Sequence, residues 1–299
     1  MYRDKDYLLT AEGLIFNVLG DQHPSGQVTA GLKYAQGQKW LDTYAAALAF
    51  LQKEYPQFAT DRIVVPVDKI ERHLKPLERT RQLQADRDNQ PPLLSRALDL
   101  IEILAKHCEV PSSEIGLTDS LLWGEGNDNS DIDLAIYGQT IITQFLAKEK
   151  DLFQFDDIER IDPAHIQRPP AIDDYTFQII ANRKANQGTY KGTRFTIRGV
   201  LTDEEILFET ERTSPFQATE PMTLEWEMEI TGREECLLYP IAYETKEGIS
   251  LVTYHIGYEM GFQPGDKVHV AGTMETSGQM QRVLVGSLGG RKEYIRLAT

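Results

Sequence analysis

Ser130-Asp-Ile-Asp-Leu134 places two carboxylates two residues apart in a run of strand-forming side chains. Side chains alternate across a strand, so Asp131 and Asp133 face one way while Ile132 and Leu134 face the other. Two carboxylates fixed on one strand face can bridge a pair of Mg²⁺ ions, which two-metal sites hold roughly 3.5–4 Å apart. Mg²⁺ (or Mn²⁺) takes hard oxygen ligands and fills its remaining positions with water and substrate phosphates. This is the layout of a phosphoryl- or nucleotidyl-transfer site. An isolated Asp-x-Asp is more often a solvated edge, because charged residues mostly sit exposed. Here Ile132, Leu134 and Ile136, with Leu121 and Leu122 before them, read as buried strands, so the acids project from a sheet flanked by core. A calcium loop is excluded: counted from Asn127, its frame needs Gly where Ile132 stands and Glu where Gly138 stands.

The elements that must hold this pair are legible around it. Leu94, Leu98, Ile101 and Leu104 recur at helical spacing and predict a core helix over Leu93 to Cys108. Pro111-Ser-Ser-Glu then leads into an apolar run from Ile115 to Trp123. A turn rich in Gly and Asn (Gly124, Gly126, Asn127, Asn129) precedes the acidic strand, and Gly138 to Lys150 reads as the next helix. Helix, strand, turn, strand and helix in this order form an α/β pattern in one modest segment.

The stretch Gly116-Leu-Thr-Asp-Ser-Leu-Leu-Trp-Gly-Glu-Gly-Asn-Asp-Asn-Ser-Asp-Ile-Asp-Leu-Ala-Ile-Tyr-Gly138 resembles the polymerase-beta-type nucleotidyltransferase superfamily. Its members carry a Gly-Ser turn, a spacer of about ten residues and an Asp-x-Asp strand. The opening Tyr2-Arg-Asp-Lys-Asp-Tyr7, then Glu12-Gly-Leu-Ile-Phe16 and the stretch around Tyr190-Lys-Gly-Thr193, resemble a group of predicted archaeal and bacterial nucleotidyltransferases named by that motif, without an assigned substrate. The resemblance implies that Asp131 and Asp133 hold the metal and that Ser120, helped by backbone N–H groups, holds the phosphates of an incoming NTP. Gly124 and Ser130 fall in the adjoining nucleotide-binding turn. At one position the chain departs from the pattern. Asp119 stands where the glycine before Ser120 belongs, and an anion there repels phosphate.

The superfamily also uses a third carboxylate on a later strand. The next strand, Thr193 to Leu201, offers Arg194, Thr196 and Arg198 on one face and no acid. Asp203, just past its end, is the first choice for that carboxylate, with Glu204, Asp173 and Asp174 as alternatives. An arginine face suits triphosphate, which makes Arg198 a candidate nucleotide ligand; an exposed strand face explains it equally well. Without a third acid, the domain would bind nucleotides without turning them over.

Composition bounds the remaining readings. The chain has 299 residues, 41% hydrophobic and 26% charged, with a formal net charge of −15. No apolar stretch approaches the roughly 18–20 residues of a membrane span. The opening Arg3-Asp-Lys-Asp6 lacks an export pattern, so a cytoplasmic location is expected. Cys108 and Cys236 are too few for a zinc site and suit buried thiols in a reducing compartment. The six histidines lack metal-ligand spacing, and no P-loop, dinucleotide fingerprint or Gly-x-Ser-x-Gly elbow is present. The acidic balance argues against broad nucleic-acid binding. It leaves two small basic patches, one at Lys184, Lys191, Arg194 and Arg198 and one at Arg291, Lys292 and Arg296.

Three parts are expected. Residues 1–85 read as short strands (Tyr7 to Thr10, Gly13 to Val18, Gln27 to Tyr34) followed by helical stretches at Trp40 to Tyr55 and Val67 to Leu83. Residues 86–205 hold the nucleotidyltransferase-like core. From about Ile206 to 299 the character turns to β: Leu224, Trp226, Met228 and Ile230 alternate with Glu225, Glu227 and Glu229 in a half-buried strand. Strands follow at Cys236 to Tyr243, Ser250 to His255, Lys267 to Thr273 and Arg282 to Ser287. The stretch Phe262 to Gly272 resembles the strands of small OB-like barrels. The expected class is therefore α+β: a mixed sheet with flanking helices, an N-terminal β and helical segment, and a small C-terminal barrel. The expected activity is metal-dependent transfer of a nucleoside monophosphate from an NTP to an acceptor hydroxyl on RNA, a small molecule or a protein. A nucleotide-sensing or RNA-binding module on the same fold is the alternative.

Overall fold

The structure, a computed structural model, describes residues 1–124, 126, 129–212, 217–286 and 292–298. It is mixed α+β with several sheets. The chain divides into two compact units, residues 1–137 with 200–203 and residues 138–199 with 204–299. Residues 86–137, which carry the acidic motif, cluster with the N-terminal sheet.

In the first unit the strands are β1 (Tyr7–Thr10), β2 (Ile15–Val18), β3 (Gln27–Ala35), β4 (Gln38–Lys39), β5 (Val64–Pro66) and β6 (Ile70–Leu74). They form one sheet in the order β4-β3-β2-β1-β6, with β5 also pairing β3. Helix α1 (Tyr44–Glu54) starts at Thr43, whose hydroxyl accepts from the Ala46 N–H at 3.2 Å. Leu8, Phe16, Val18, Val28 and Leu32 from the sheet are buried together with Ala47 and Leu51 of α1. Each such large side chain contributes about 1.5–3 kcal/mol on burial.

Residues 67–83 depart from the helical expectation. Ile70 to Leu74 pairs with β1 as a strand, Tyr7 opposite Leu74 and Leu9 opposite Arg72. Helix α2 (Pro76–Ala85) begins only at Pro76. Proline fixes the first-turn dihedral and disfavours helix in the residue before it, so the periodic pattern is cut there. Helix α3 (Pro92–Cys108) buries Leu93, Leu98, Ile101 and Leu104. Strand β7 (Ile115–Leu117) then pairs antiparallel with β8 (Ile132–Tyr137), Leu117 opposite Leu134. Between them Ser120–Trp123 forms a single helical turn, α4, rather than the expected strand. Leu121 and Leu122 are still buried, now from one side of a helix.

The second unit contains α5 (Gln139–Lys148), β9 (Ile158–Arg160), α6 (Asp174–Arg183), β10 (Gln187–Tyr190) and β11 (Thr193–Val200), with β9, β10 and β11 antiparallel. Helix α7 (Asp203–Arg212) comes next, so the change to β is later than Ile206. It is followed by β12 (Gln217–Gly232), β13 (Ile241–Thr245), β14 (Ser250–Thr253), β15 (Lys267–Ser277), β16 (Met280–Val285) and β17 (Tyr294–Leu297). Strands β12, β13, β14, β16 and β15 close into a five-stranded barrel through β12–β15 pairing, with β14 and β16 parallel and β17 added beside β15. Met228 and Ile230 are buried while Glu225 and Glu227 are exposed, as the alternation requires. The side chain of Leu224, and residues Asn127, Ser287 and Arg291, lie outside the described residues. No described helix is long and apolar enough to cross a membrane.

Gly116 is packed directly against backbone. A Cβ there would come within 2.6 Å of Pro76 Cβ and 2.9 Å of its carbonyl carbon at the start of α2. Backbone cannot yield as a flexible side chain does, so Gly116→Ala is expected to lower stability by about 1–3 kcal/mol in urea unfolding. An unchanged unfolding midpoint would contradict this packing.

Candidate functional site

Asp133 is the second residue of β8 and Asp131 immediately precedes that strand. Both are half-buried, while Ile132 and Leu134 are fully buried on the opposite side. The β7–β8 ladder continues one step beyond its named strands: the Thr118 N–H donates to the Asp133 carbonyl at 2.9 Å. The Asp119-Ser120 turn and the acidic pair therefore sit at the same end of one short ladder. Ser120 opens α4, and Gly124 closes it at φ 92°, in the left-handed region that favours glycine. Gly124 is thus the residue that lets the chain leave the helix. Ser130 is half-buried, directly ahead of Asp131.

Asp119 has φ 49° and ψ −138°, a backbone state that glycine adopts readily and other residues rarely do. The backbone here is thus one that suits glycine, although the residue is an acid. Two side chains from the N-terminal sheet hold its carboxylate: the Tyr7 hydroxyl donates to Oδ1, and Lys33 Nζ lies 3.2 Å from the same oxygen. Tyr7 is buried at 1% exposure and its ring lies 4.6 Å from that of Trp123, tilted by 49°. Burial first, then the Asp119 and Asp133 charges, push the Tyr7 phenol well above its usual range, so it remains a donor.

Behind Tyr7 the opening Arg3-Asp-Lys-Asp6 folds into a buried turn. Asp4 and Asp6 are at most 2% exposed. Asp4 Oδ1 accepts from the Gly20 N–H at 3.2 Å, and its Oδ2 lies 3.2 Å from Lys5 Nζ. Asp6 Oδ2 lies 2.7 Å from His73 Nε2. The Asp4 N–H donates to Asp21 Oδ1 at 3.0 Å. The turn is sewn to the motif by Thr118, whose hydroxyl donates to the Lys5 carbonyl at 2.9 Å. On the other side, the Leu117 N–H donates to the Thr80 hydroxyl at 2.7 Å.

Among the described residues no third carboxylate is brought to the pair. Asp203 forms an ion pair with Arg3 at 3.1 Å, and the Arg3 guanidinium lies over the Tyr137 ring, 5.3 Å from its centroid. Tyr137 is four residues beyond Asp133, roughly 13 Å along the strand. Two of the alternatives are engaged elsewhere: Asp173 caps α6 through the Thr176 N–H at 2.8 Å, and Asp174 pairs with Arg168 at 2.7 Å, while Glu204 is exposed. Arg198 Nε lies 3.2 Å from Glu259 Oε1, a carboxylate that is only 3% exposed, so its guanidinium serves a buried ion pair in the second unit. Among the described residues no group of three His, Cys, Asp or Glu side chains is placed to hold a metal ion. Cys108 and Cys236 are both buried thiols.

Sequence reasoning missed Tyr7 and Lys33. Tyr7 stood within the quoted opening motif, but its partner lies 112 residues away. Lys33 sits in an ordinary alternating strand and carries no local signal. Comparison of the chain with protein-family models, curated proteins and solved structures gives no match.

The buried turn makes stability depend on pH. Burial, reinforced by the Asp4 and Asp6 charges, pushes the Asp21 carboxyl up to about 7. Between about pH 4 and pH 7 the folded chain keeps a proton that the unfolded chain releases, so this group's contribution falls as pH rises through that window and is level above it. Asp21→Asn retains an acceptor for the Asp4 N–H and removes the titration. The variant is expected to be more stable than wild type by about 2 kcal/mol at pH 8, with the gain vanishing near pH 4–5. Thermal unfolding across pH 5–8 checks this; a gain independent of pH would contradict it.

Proposed function

We propose that this chain is a metal-dependent nucleotidyltransferase that moves a nucleoside monophosphate from an NTP to an acceptor hydroxyl. One observation carries the reading: the Thr118–Asp133 backbone bond places the Asp119-Ser120 turn and the Asp131/Asp133 pair at one end of the β7–β8 ladder. A metal position and a phosphate position thereby adjoin on a rigid support, which is what phosphoryl transfer by positioning and charge neutralisation needs.

The donor set fits Mg²⁺ or Mn²⁺. Asp131 and Asp133 supply hard oxygens from one strand face, and Mg²⁺ characteristically uses one or two carboxylates, with phosphates and water completing its shell. When bound, such an ion neutralises phosphate charge and lowers the pKa of a coordinated hydroxyl. The chain's own part is to fix the two carboxylates through the β8 ladder and to hold the Ser120 hydroxyl at the neighbouring turn.

On this reading the strand–turn–strand unit is nucleotidyltransferase-like and the barrel is OB-like. The outward face of β12 and β13 carries Glu225, Glu227, Glu229 and Glu244, with Lys246 paired to Glu229 at 3.2 Å. A face so acidic repels nucleic-acid phosphate, which favours a small-molecule or protein acceptor over RNA at that surface. A second reading, a nucleotide-binding module without turnover, is favoured by Asp203 being held by Arg3 and by Asp119 standing in the glycine position.

The test incubates the protein with each α-³²P-labelled NTP, Mg²⁺ or Mn²⁺ and cellular RNA or extract, comparing wild type with Asp131→Ala/Asp133→Ala. Transfer of label by wild type, reduced by at least about 100-fold in the double variant, is the expected outcome. Metal-dependent nucleotide binding without transfer would move the assignment to the second reading. Neither transfer nor binding would sink both.

A further inference from the structure

We propose that the Tyr7 hydroxyl and the Lys33 ammonium form an anion-binding site for a nucleotide phosphate, with the Asp119 carboxylate as the chain's own competing occupant. This rests on the nucleotidyltransferase reading and adds to it two phosphate ligands from the N-terminal sheet and a built-in competitor.

The argument starts from what Tyr7 and Lys33 have in common. Both are donors that converge on one oxygen of Asp119, from two different strands, β1 and β3. Two convergent donors, one cationic, define a position for any oxyanion, carboxylate or phosphate. Tyr7 is too buried to find its acceptor in water, so its hydroxyl needs an oxygen acceptor at this point, which Asp119 now supplies. Lys33 is 36% exposed, so the same position is open to solvent on the lysine side.

Asp119 is a poorly settled occupant. Its backbone lies in a region that non-glycine residues rarely adopt and that persists only where surrounding contacts impose it. Part of what Tyr7 and Lys33 contribute is spent holding that strained turn. A phosphate oxygen arriving at the same donors carries no such strain, and it comes with a cation at Asp131 and Asp133 to offset its charge. The Thr118–Asp133 backbone bond sets the Asp119 turn beside the metal-holding pair, so the anion position and the pair adjoin. Asp119 thus sets nucleotide affinity by competing for the donors, rather than by touching the base or the acceptor.

Isothermal titration with MgATP, MgGTP, MgCTP and MgUTP, and with inorganic phosphate and pyrophosphate as separate arms, tests this on the full chain. Asp119→Gly removes the competitor and suits the turn. Asp119→Asn removes only the charge and serves if the glycine variant misfolds, with thermal unfolding as the check. The expected result is nucleotide binding about tenfold tighter in Asp119→Gly and by a smaller factor in Asp119→Asn. Adding Lys33→Ala to Asp119→Gly is expected to abolish the gain. Tightening by pyrophosphate but not by inorganic phosphate would assign the site to a polyphosphate; tightening by both would assign it to a single phosphate group. If wild type binds a nucleotide and neither Asp119 variant binds it more tightly, or if the gain survives Lys33→Ala, the anion site is wrong while the transferase reading stands. If neither wild type nor any variant binds any nucleotide, both fail.

Discussion

The arrangement depends on a single junction, where the buried turn at residues 3–6 meets the end of β7. A three-residue strand with one named partner in its unit cannot set the direction of the chain that leaves it. Here two threonine hydroxyls do so. Thr80 receives the Leu117 N–H and Thr118 donates to the Lys5 carbonyl, so the last residues of β7 are fixed from both sides. The next residue, Asp119, is then presented to Tyr7 and Lys33. Both threonines are buried at 2% exposure, and an unpaired buried hydroxyl is costly, so these bonds constrain the geometry strongly. The position of the acidic pair follows, because Thr118 is tied through its own N–H to Asp133.

Burying Asp4, Lys5 and Asp6 in that junction is costly unless every charge finds a partner. The carboxylates of Asp4 and Asp6 find theirs on two separate segments, at the Gly20 N–H and at His73, and Asp21, beside Gly20, accepts the Asp4 backbone N–H. Such a knot contributes little net stability compared with apolar packing, but it tolerates only one relative placement of β1, β6 and β7. It therefore fixes register where the short strands cannot. Tyr2 adds a ring contact to His73 at 4.7 Å, placing an aromatic cover over the ion pair.

Local pattern made much of this legible. The β1, β2 and β3 strands, the α3 core helix, β8 and most barrel strands follow from alternation and helical periodicity, which are properties of short windows. The errors have a common cause. The pattern from Val67 to Leu83 is periodic enough for a helix, but β1 recruits Ile70–Leu74 as its partner and Pro76 delays the helix. Leu121 and Leu122 suit a buried strand equally well, and the reversal between β7 and β8 decides for a helical turn. At the candidate site, the spacing of Asp131 and Asp133 is itself a local signal, and both are half-buried at the end of the β7–β8 ladder. The donors to Asp119 carry no such signal, since Tyr7 and Lys33 are brought to it across 112 and 86 residues.

An acid in a glycine position changes the electrostatics of the whole corner. Asp119, Asp131 and Asp133 concentrate negative charge at one end of a ladder in a chain that is already strongly acidic. Lys33 offsets one of them directly. The remaining charge favours a divalent cation at Asp131 and Asp133, yet it opposes any phosphate that arrives without one. Under the proposed reading, cation and nucleotide must therefore bind with mutual reinforcement: each reduces the repulsion that the other meets, and the coupling is the same in both directions. A glycine at position 119 would weaken that coupling, because the phosphate would no longer need the cation to overcome the carboxylate. Under that reading the aspartate would act as a condition on binding, admitting the phosphate in company with its metal.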